Sequence, residues 1–180
     1  LNRANGLGAL SVAQALREYF SLPTEIKWPN DVLIQGQKVC GVLVESDWEG
    51  DMLRDVILGV GINVHPHAVL EEDSLNFPAT SLEKASGKEW ERPLVLAKVL
   101  ETMLDWVPKI SSSSFLSAWE NLLAFRSQVV QLMKEGKVVA EGKIAGLAED
   151  GSLVLEKGSG NKEAFQVGEI HLRPVDRSKK

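Results

Sequence analysis

The sequence predicts an α+β chain in which a mixed sheet flanked by helices is followed by a small SH3-like β-barrel. Three features carry that expectation. Apolar residues recur at helical spacing in several separate stretches. Between the first two of these, short extended runs are punctuated by Pro, Asn and Gly. From about Ala124 onward the pattern changes to short alternating strands joined by Gly-containing turns. The change divides the chain into residues 1–123 and 124–180.

From Gly8 to Phe20, the residues Ala9, Val12, Ala13, Leu16 and Phe20 mark one face of an amphipathic helix, with Pro23 just beyond its end. Glu25 to Ile34 reads as an extended segment broken by Pro29, Asn30 and Asp31, and Gln35-Gly36-Gln37 reads as a turn. Val39 to Glu45 and Leu53 to Val64 are predicted strands, joined by a turn around Asp47 to Asp51. His65 to Ala79, with two prolines, several acids and little periodicity, is predicted to be a surface loop.

Thr80 and Glu83 have the spacing of a capping box that opens a short helix, and Gly87 closes it. A longer helix is predicted from about Pro93 to Val107, with Leu96, Val99, Leu100, Met103, Leu104 and Val107 as its apolar face and Pro108 as its stop. A serine within Ser111 to Ser114 caps a further helix bearing Phe115, Leu116, Trp119 and Leu122. Strands then follow at Gln128 to Met133, Val138 to Ala148, Ser152 to Glu156 and Glu163 to Leu172. The turns Glu135-Gly136-Lys137 and Glu149-Asp150-Gly151 separate the first three.

Composition narrows the function. A chain of 180 residues with a net charge of −5 and scattered basic residues does not suit a protein built mainly to grip a nucleic-acid backbone. Its single cysteine, Cys40, excludes an intrachain disulfide or a cysteine-rich zinc site and fits a reducing, cytoplasmic setting. No run approaches the roughly 18 apolar residues of a membrane span, so no membrane association is expected. The chain opens on Leu1, within the approach to a helix, which leaves a missing amino terminus open.

The densest chemistry lies in Lys27-Trp28-Pro29-Asn30-Asp31, Lys38-Val39-Cys40-Gly41-Val42-Leu43-Val44-Glu45 and Gly59-Val60-Gly61-Ile62-Asn63. Gly41, Gly59 and Gly61 stand where strands favour β-branched residues. Such glycines either ease strand twist and packing or clear room for a close neighbour such as a flat ligand. The Pro29 kink lets Asn30 and Asp31 fold onto their own backbone or project toward a neighbouring strand. Lys38, just past a turn, can carry a cation across the sheet toward a carboxylate or phosphate. His65-Pro66-His67 lacks a third ligand of defined spacing and reads as a loop. Cys40 reads as a small buried hydrophobe rather than a nucleophile.

Taken in order, the three segments resemble the biotin protein ligase family, and the likeness extends through Pro78-Ala79-Thr80-Ser81-Leu82, Trp119-Glu120 and Gly168-Glu169-Ile170-His171-Leu172-Arg173. The resemblance implies a catalytic sheet like that of class II aminoacyl-tRNA synthetases and lipoate ligases, with an SH3-like domain after it. It also implies a two-step reaction in which ATP and biotin form biotinyl-5′-adenylate and the biotin passes to a lysine of a biotin carboxyl carrier protein domain, with Mg²⁺ arriving on ATP. Lys38 matches the catalytic lysine that also contacts the biotin carboxylate. Gly41, Leu43, Gly59 and Gly61 match the wall against which biotin lies, Asn63 a residue near the adenine, and Asp31 a position that organises the nucleotide loop.

The family's Gly-Arg-Gly-Arg-Arg-Gly-type loop, and the early Ser/Thr and Gln that bond the ureido ring, have no counterpart here. Weak biotin binding and a reduced grip on the triphosphate are therefore expected. Two alternatives stay open: a non-catalytic binding or assembly module, forming a homodimer through a sheet edge, or a ligase for lipoate or another short acid. DNA binding would require a winged helix ahead of this sequence.

Overall fold

The computed structural model describes residues 1–69, 77–126, 128–166 and 170–175. The first helix, α1, spans Asn2–Phe20 and so begins six residues before the predicted Gly8 start. Gly6 and Gly8 are poor helix formers, which hid that first turn and a half. Packing explains both. A Cβ on Gly6 would fall 2.4 Å from the Trp119 ring, and one on Gly8 would fall 2.7 Å from Val42. The Gly6→Ala variant is expected to lose about 1–3 kcal/mol through overpacking, read as a lower urea midpoint. An unchanged midpoint would show that Trp119 can move aside.

Two hairpins follow: β1 (Thr24–Lys27) with β2 (Asp31–Ile34), then β3 (Gln37–Glu49) with β4 (Met52–Ile62), in spatial order β1-β2-β3-β4. A mixed sheet was expected, yet every pairing among these strands is antiparallel, and parallel contact enters only through isolated bridges at Ile26/Leu123 and Lys38/Ala79. The first bridge lays the connector around Leu122–Ala124 along the β1 edge, with the Ile26 amide donating to Leu122 at 2.6 Å. The predicted Asp47-to-Asp51 turn shrinks to its tip at Gly50 and Asp51, because Asp47 and Trp48 still pair with Asp55 and Leu53 around a bulge.

On one face of this sheet, Cys40 and Val42 are buried, with Val44, Leu58, Val60 and Ile62 partly buried in the same core. α1 packs on that side.

The loop from His65 contains a short 3₁₀ turn at Pro66–Ala68, and residues 70–76 of the predicted loop lie outside the described region. α2 (Leu82–Ser86) is capped by Ser81 rather than Thr80: the Ser81 hydroxyl accepts from the Lys84 amide, and Gly87 closes the helix at φ 68°. Glu83 does not complete a capping box, because its carboxylate is bonded to His65 at 2.8 Å.

α3 (Arg92–Trp106) keeps close to its predicted bounds but only part of its predicted face, Val99 being buried and Met103 partly buried against the core. Val95, Val99 and Thr102 turn inward, while Leu96, Leu100, Leu104 and Val107 are exposed, Leu104 to 71%. The helix is apolar on two stripes, so periodicity alone could not choose between them. The inward stripe packs against α1, and Trp106 Nε1 donates to Gln14 Oε1 beside it. α4 (Ser113–Asn121) is capped by Ser112, whose hydroxyl accepts from the Phe115 amide.

The second sheet holds β5 (Val129–Lys134), β6 (Lys137–Leu147), β7 (Leu153–Glu156), β8 (Lys162–Phe165) and β9 (Ile170–Pro174), antiparallel in the order β8-β7-β6-β5-β9. The predicted Glu163-to-Leu172 strand divides into β8 and β9, with residues 167–169 outside the described region. Among the described residues β8 and β9 do not pair, so no closed barrel is seen. Trp28 Nε1 donates to the Gly151 carbonyl at 3.1 Å, Arg3 Nε to that of Glu149 at 2.7 Å, and the Leu147 amide to Glu120 at 2.9 Å. These bonds fasten the second sheet to the Trp28 corner, α1 and α4. Among the described residues no helix is long and apolar enough to cross a membrane.

Candidate functional site

Register brings the predicted residues onto one face. Asp31 lies opposite Gly41 across β2 and β3, Gly41 opposite Gly61 across β3 and β4, and Leu43 opposite Gly59 one row further on. Since side chains alternate along a strand, these positions and Asn63 point away from the buried face that holds Cys40 and Val42. Leu43 is 62% exposed on this open side. Around it, Gly41, Gly59 and Gly61 leave a shallow trough floored by backbone. A Cβ at Gly59 or Gly61 would meet nothing closer than 3.7 Å, so packing within the chain does not demand either glycine.

By strict alternation Lys38 would share the face of Cys40 and be turned from the trough. The β2–β3 register shifts between Val32/Cys40 and Leu33/Lys38, placing an extra residue, Val39, in the bulge. That extra residue reverses the parity and re-aims Lys38. The Lys38 backbone is also fixed from its other side, its amide donating to Pro78 at 2.8 Å and its carbonyl accepting from Thr80 at 2.9 Å. Its side chain then crosses Gly41: a Cβ there would sit 3.0 Å from Lys38 Nζ. Gly41 thus makes room for a lysine as well as extending the trough.

Asp31 collects two cations. Its Oδ1 lies 2.5 Å from Lys38 Nζ and its Oδ2 lies 2.7 Å from Lys27 Nζ. Burial pushes the Asp31 carboxyl up, but Lys27 and Lys38 outweigh it and hold the group below the usual carboxylate range. Lys27 is almost fully buried, and burial outweighs its attraction to Asp31, drawing the ammonium below its ordinary value. The Phe77 ring covers Lys27, with its centroid 4.9 Å from Nζ, and the Arg173 guanidinium lies 5.8 Å from the same centroid. Asn30 Nδ2 donates to the Val42 carbonyl at 2.6 Å and braces the turn before Asp31.

Asn63 Nδ2 donates to the Thr80 carbonyl at 3.2 Å, which ties the end of β4 to the segment beside Lys38. His65 and His67 stack with centroids 5.5 Å apart, and the hydrogen bond from His65 holds the Glu83 carboxyl below its usual range. Among the described residues no group of three or more His, Cys, Asp or Glu is placed to hold a metal ion. Cys40 lies under the sheet, where burial pushes its thiol up to about 12. The folded chain is expected to resist iodoacetamide at neutral pH and to label fully only when unfolded. Native labelling at the unfolded rate would contradict this burial.

Three features were not legible in the sequence: the Val39 bulge, the sharing of Asp31 between two lysines, and the contact of Phe77 with Lys27. The bulge has no residue signature of its own. The other two join segments that are distant along the chain or on opposite sides of a turn.

The antiparallel sheet thus carries α1 on one face and, on the other, a lysine held over a glycine trough. The profile of the Biotin/lipoate A/B protein ligase family matches residues 5–63, and that of the Biotin protein ligase C terminal domain matches residues 128–173. The biotin protein ligase of Aquifex aeolicus superposes with a TM-score of 0.81 at 34% identity, covering 97% of this chain and 76% of that one. The same Aquifex enzyme solved with biotin and ATP gives the same TM-score and identity. The bifunctional ligase/repressor BirA of Bacillus subtilis is 33% identical over 165 residues, covering 89% of this chain and 50% of that protein. Its Escherichia coli namesake is 30% identical over 169 residues, covering 92% and 51%. The chain belongs to the biotin protein ligase family. It spans about half the length of these curated relatives.

Proposed function

We propose that this chain carries the lysine-bearing wall of an ATP-dependent ligase that forms biotinyl-5′-adenylate and transfers biotin to a lysine of a biotin carboxyl carrier protein domain. The observation behind this reading is the placement of Lys38 over the trough of Gly41, Leu43, Gly59 and Gly61, with Asp31 fixing its ammonium. An oxygen of the biotin carboxylate attacks the α-phosphorus of ATP, and the bond to pyrophosphate breaks. The carrier amine then attacks the acyl carbon, and AMP leaves. Both steps build negative charge between carboxylate and phosphate, where a fixed cation lowers the barrier.

In this reading the glycine trough accepts the flat biotin rings, Asn63 lies toward the adenine, and Asp31 serves the nucleotide side through Lys38. Mg²⁺ comes with the phosphates of ATP. Residues 1–123 act as the catalytic unit and 124–180 as an SH3-like companion domain, and the protein works in the cytoplasm alongside its carrier.

The test is biotin-dependent exchange of labelled pyrophosphate into ATP, run with a panel of carboxylic acids. Exchange with biotin above all other acids supports the reading. Preference for lipoate or a shorter acid changes the substrate, and no exchange with any acid removes the ligase assignment from this polypeptide.

A further inference from the structure

We propose that Lys27 is a positioning residue that keeps the Lys38 ammonium available to substrate by occupying the second oxygen of Asp31. The inference rests on the ligase reading and deepens it. Lys27 and Asp31 are direct partners across β1 and β2, and Asp31 is in turn the partner of Gly41, over which Lys38 passes. One carboxylate therefore sits between two ammonium groups, 2.7 Å from Lys27 and 2.5 Å from Lys38. Exposure separates their roles: the Lys27 side chain is 5% exposed and that of Lys38 is 38% exposed.

A lone Asp31–Lys38 pair would be neutral, with its cation largely spent on its partner. With Lys27 present the group carries a net positive charge, and the exposed member of the trio is where that charge meets solvent or ligand. Lys27 is a costly way to brace a fold. A buried ion pair is commonly no more stabilising than a hydrophobic replacement of similar volume, and Phe77 already lines the Lys27 site with apolar surface. The arrangement becomes intelligible if the buried cation tunes the exposed one through the shared carboxylate.

The experiment measures acylation of each lysine by limiting N-hydroxysuccinimidyl acetate, resolved by peptide mass spectrometry, in the wild-type chain, Lys27→Met and Lys27→Arg. Only the neutral amine attacks the ester. Without Lys27, Asp31 is left to pair with Lys38 alone and holds that amine more firmly in the ion pair, so Lys27→Met is expected to slow its acylation by about three- to tenfold. Lys98 and Lys109 should be unaffected, and Lys27→Arg should react as wild type does. In parallel, biotin-dependent pyrophosphate exchange should fall about tenfold in Lys27→Met and return in Lys27→Arg.

Equal Lys38 acylation in wild type and Lys27→Met overturns the inference. So does general acceleration of all lysines in Lys27→Met, because Lys27 would then be holding the fold rather than the charge. Absence of exchange in the wild type defeats the ligase reading alone, since the Lys38 acylation comparison does not depend on activity.

Discussion

Replacing Asp31 with leucine is expected to destabilise the fold by about 3–5 kcal/mol, because it leaves the buried Lys27 ammonium without its counter-ion. Burial already draws the Lys27 ammonium below its ordinary value with Asp31 in place, so removing the carboxylate forces either an unpaired buried charge or a deprotonated lysine. The double variant Asp31→Leu/Lys27→Met should recover most of the loss, since two apolar side chains then replace the pair. Urea denaturation of the four chains checks this as a thermodynamic cycle. A cost below about 1 kcal/mol would show that water solvates the Lys27 ammonium once Asp31 is gone.

The same carboxylate sets a pH dependence. Its folded pKa is held below the ordinary value of 3.8, so the stabilisation is fully present above that pH and is lost as the pH falls through the lower, folded value. The double variant Asp31→Leu/Lys27→Met should lack that part of the acid transition when its acid-denaturation curve is compared with that of the wild type.

The site was legible because its determinants are short segments whose residue types serve backbone needs. Three glycines on facing strands announce a surface stripped of side chains, and antiparallel register then places Gly41 against Gly61 and Leu43 against Gly59. Lys38 was legible as a residue but not as a position. Strand alternation puts it on the wrong face, and only the bulge at Val39 corrects that. Partners distant in sequence were invisible for a plainer reason. Nothing local in Phe77 or Arg173 reports Lys27, and nothing in Gly6 reports Trp119.

α3 illustrates the opposite difficulty. Its sequence is apolar on more stripes than the fold buries, so the face that packs on α1 is selected by tertiary contacts such as Trp106 to Gln14. Burial of one stripe and exposure of the other is a tertiary choice that hydrophobic periodicity cannot make. The second sheet was legible through its Gly turns, since tight turns dictate residue type at positive φ, as at Gly136 (75°) and Gly151 (86°).

The Lys38→Met variant is expected to lower biotin-dependent pyrophosphate exchange on the order of 10²- to 10³-fold, while costing little stability. The two effects separate because of exposure and partners. Methionine retains the aliphatic stem that crosses Gly41, and Asp31 keeps Lys27 at 2.7 Å, so no buried charge is orphaned. What disappears is the Lys38 ammonium set over the open trough, and removing a fixed charge-stabilising donor costs about 2.7–4 kcal/mol of transition-state stabilisation. Lys38→Arg should recover only part of the rate, because a planar guanidinium is bulkier than the ammonium that passes over Gly41 and does not reproduce its point charge beside Asp31. Gly41→Ala should resemble Lys38→Arg rather than Lys38→Met, since its methyl group displaces the ammonium without removing it. Exchange rates in the order wild type, then Gly41→Ala and Lys38→Arg, then Lys38→Met would locate the chemistry at Lys38. Equal rates in wild type and Lys38→Met would place it elsewhere, whatever the fold resembles.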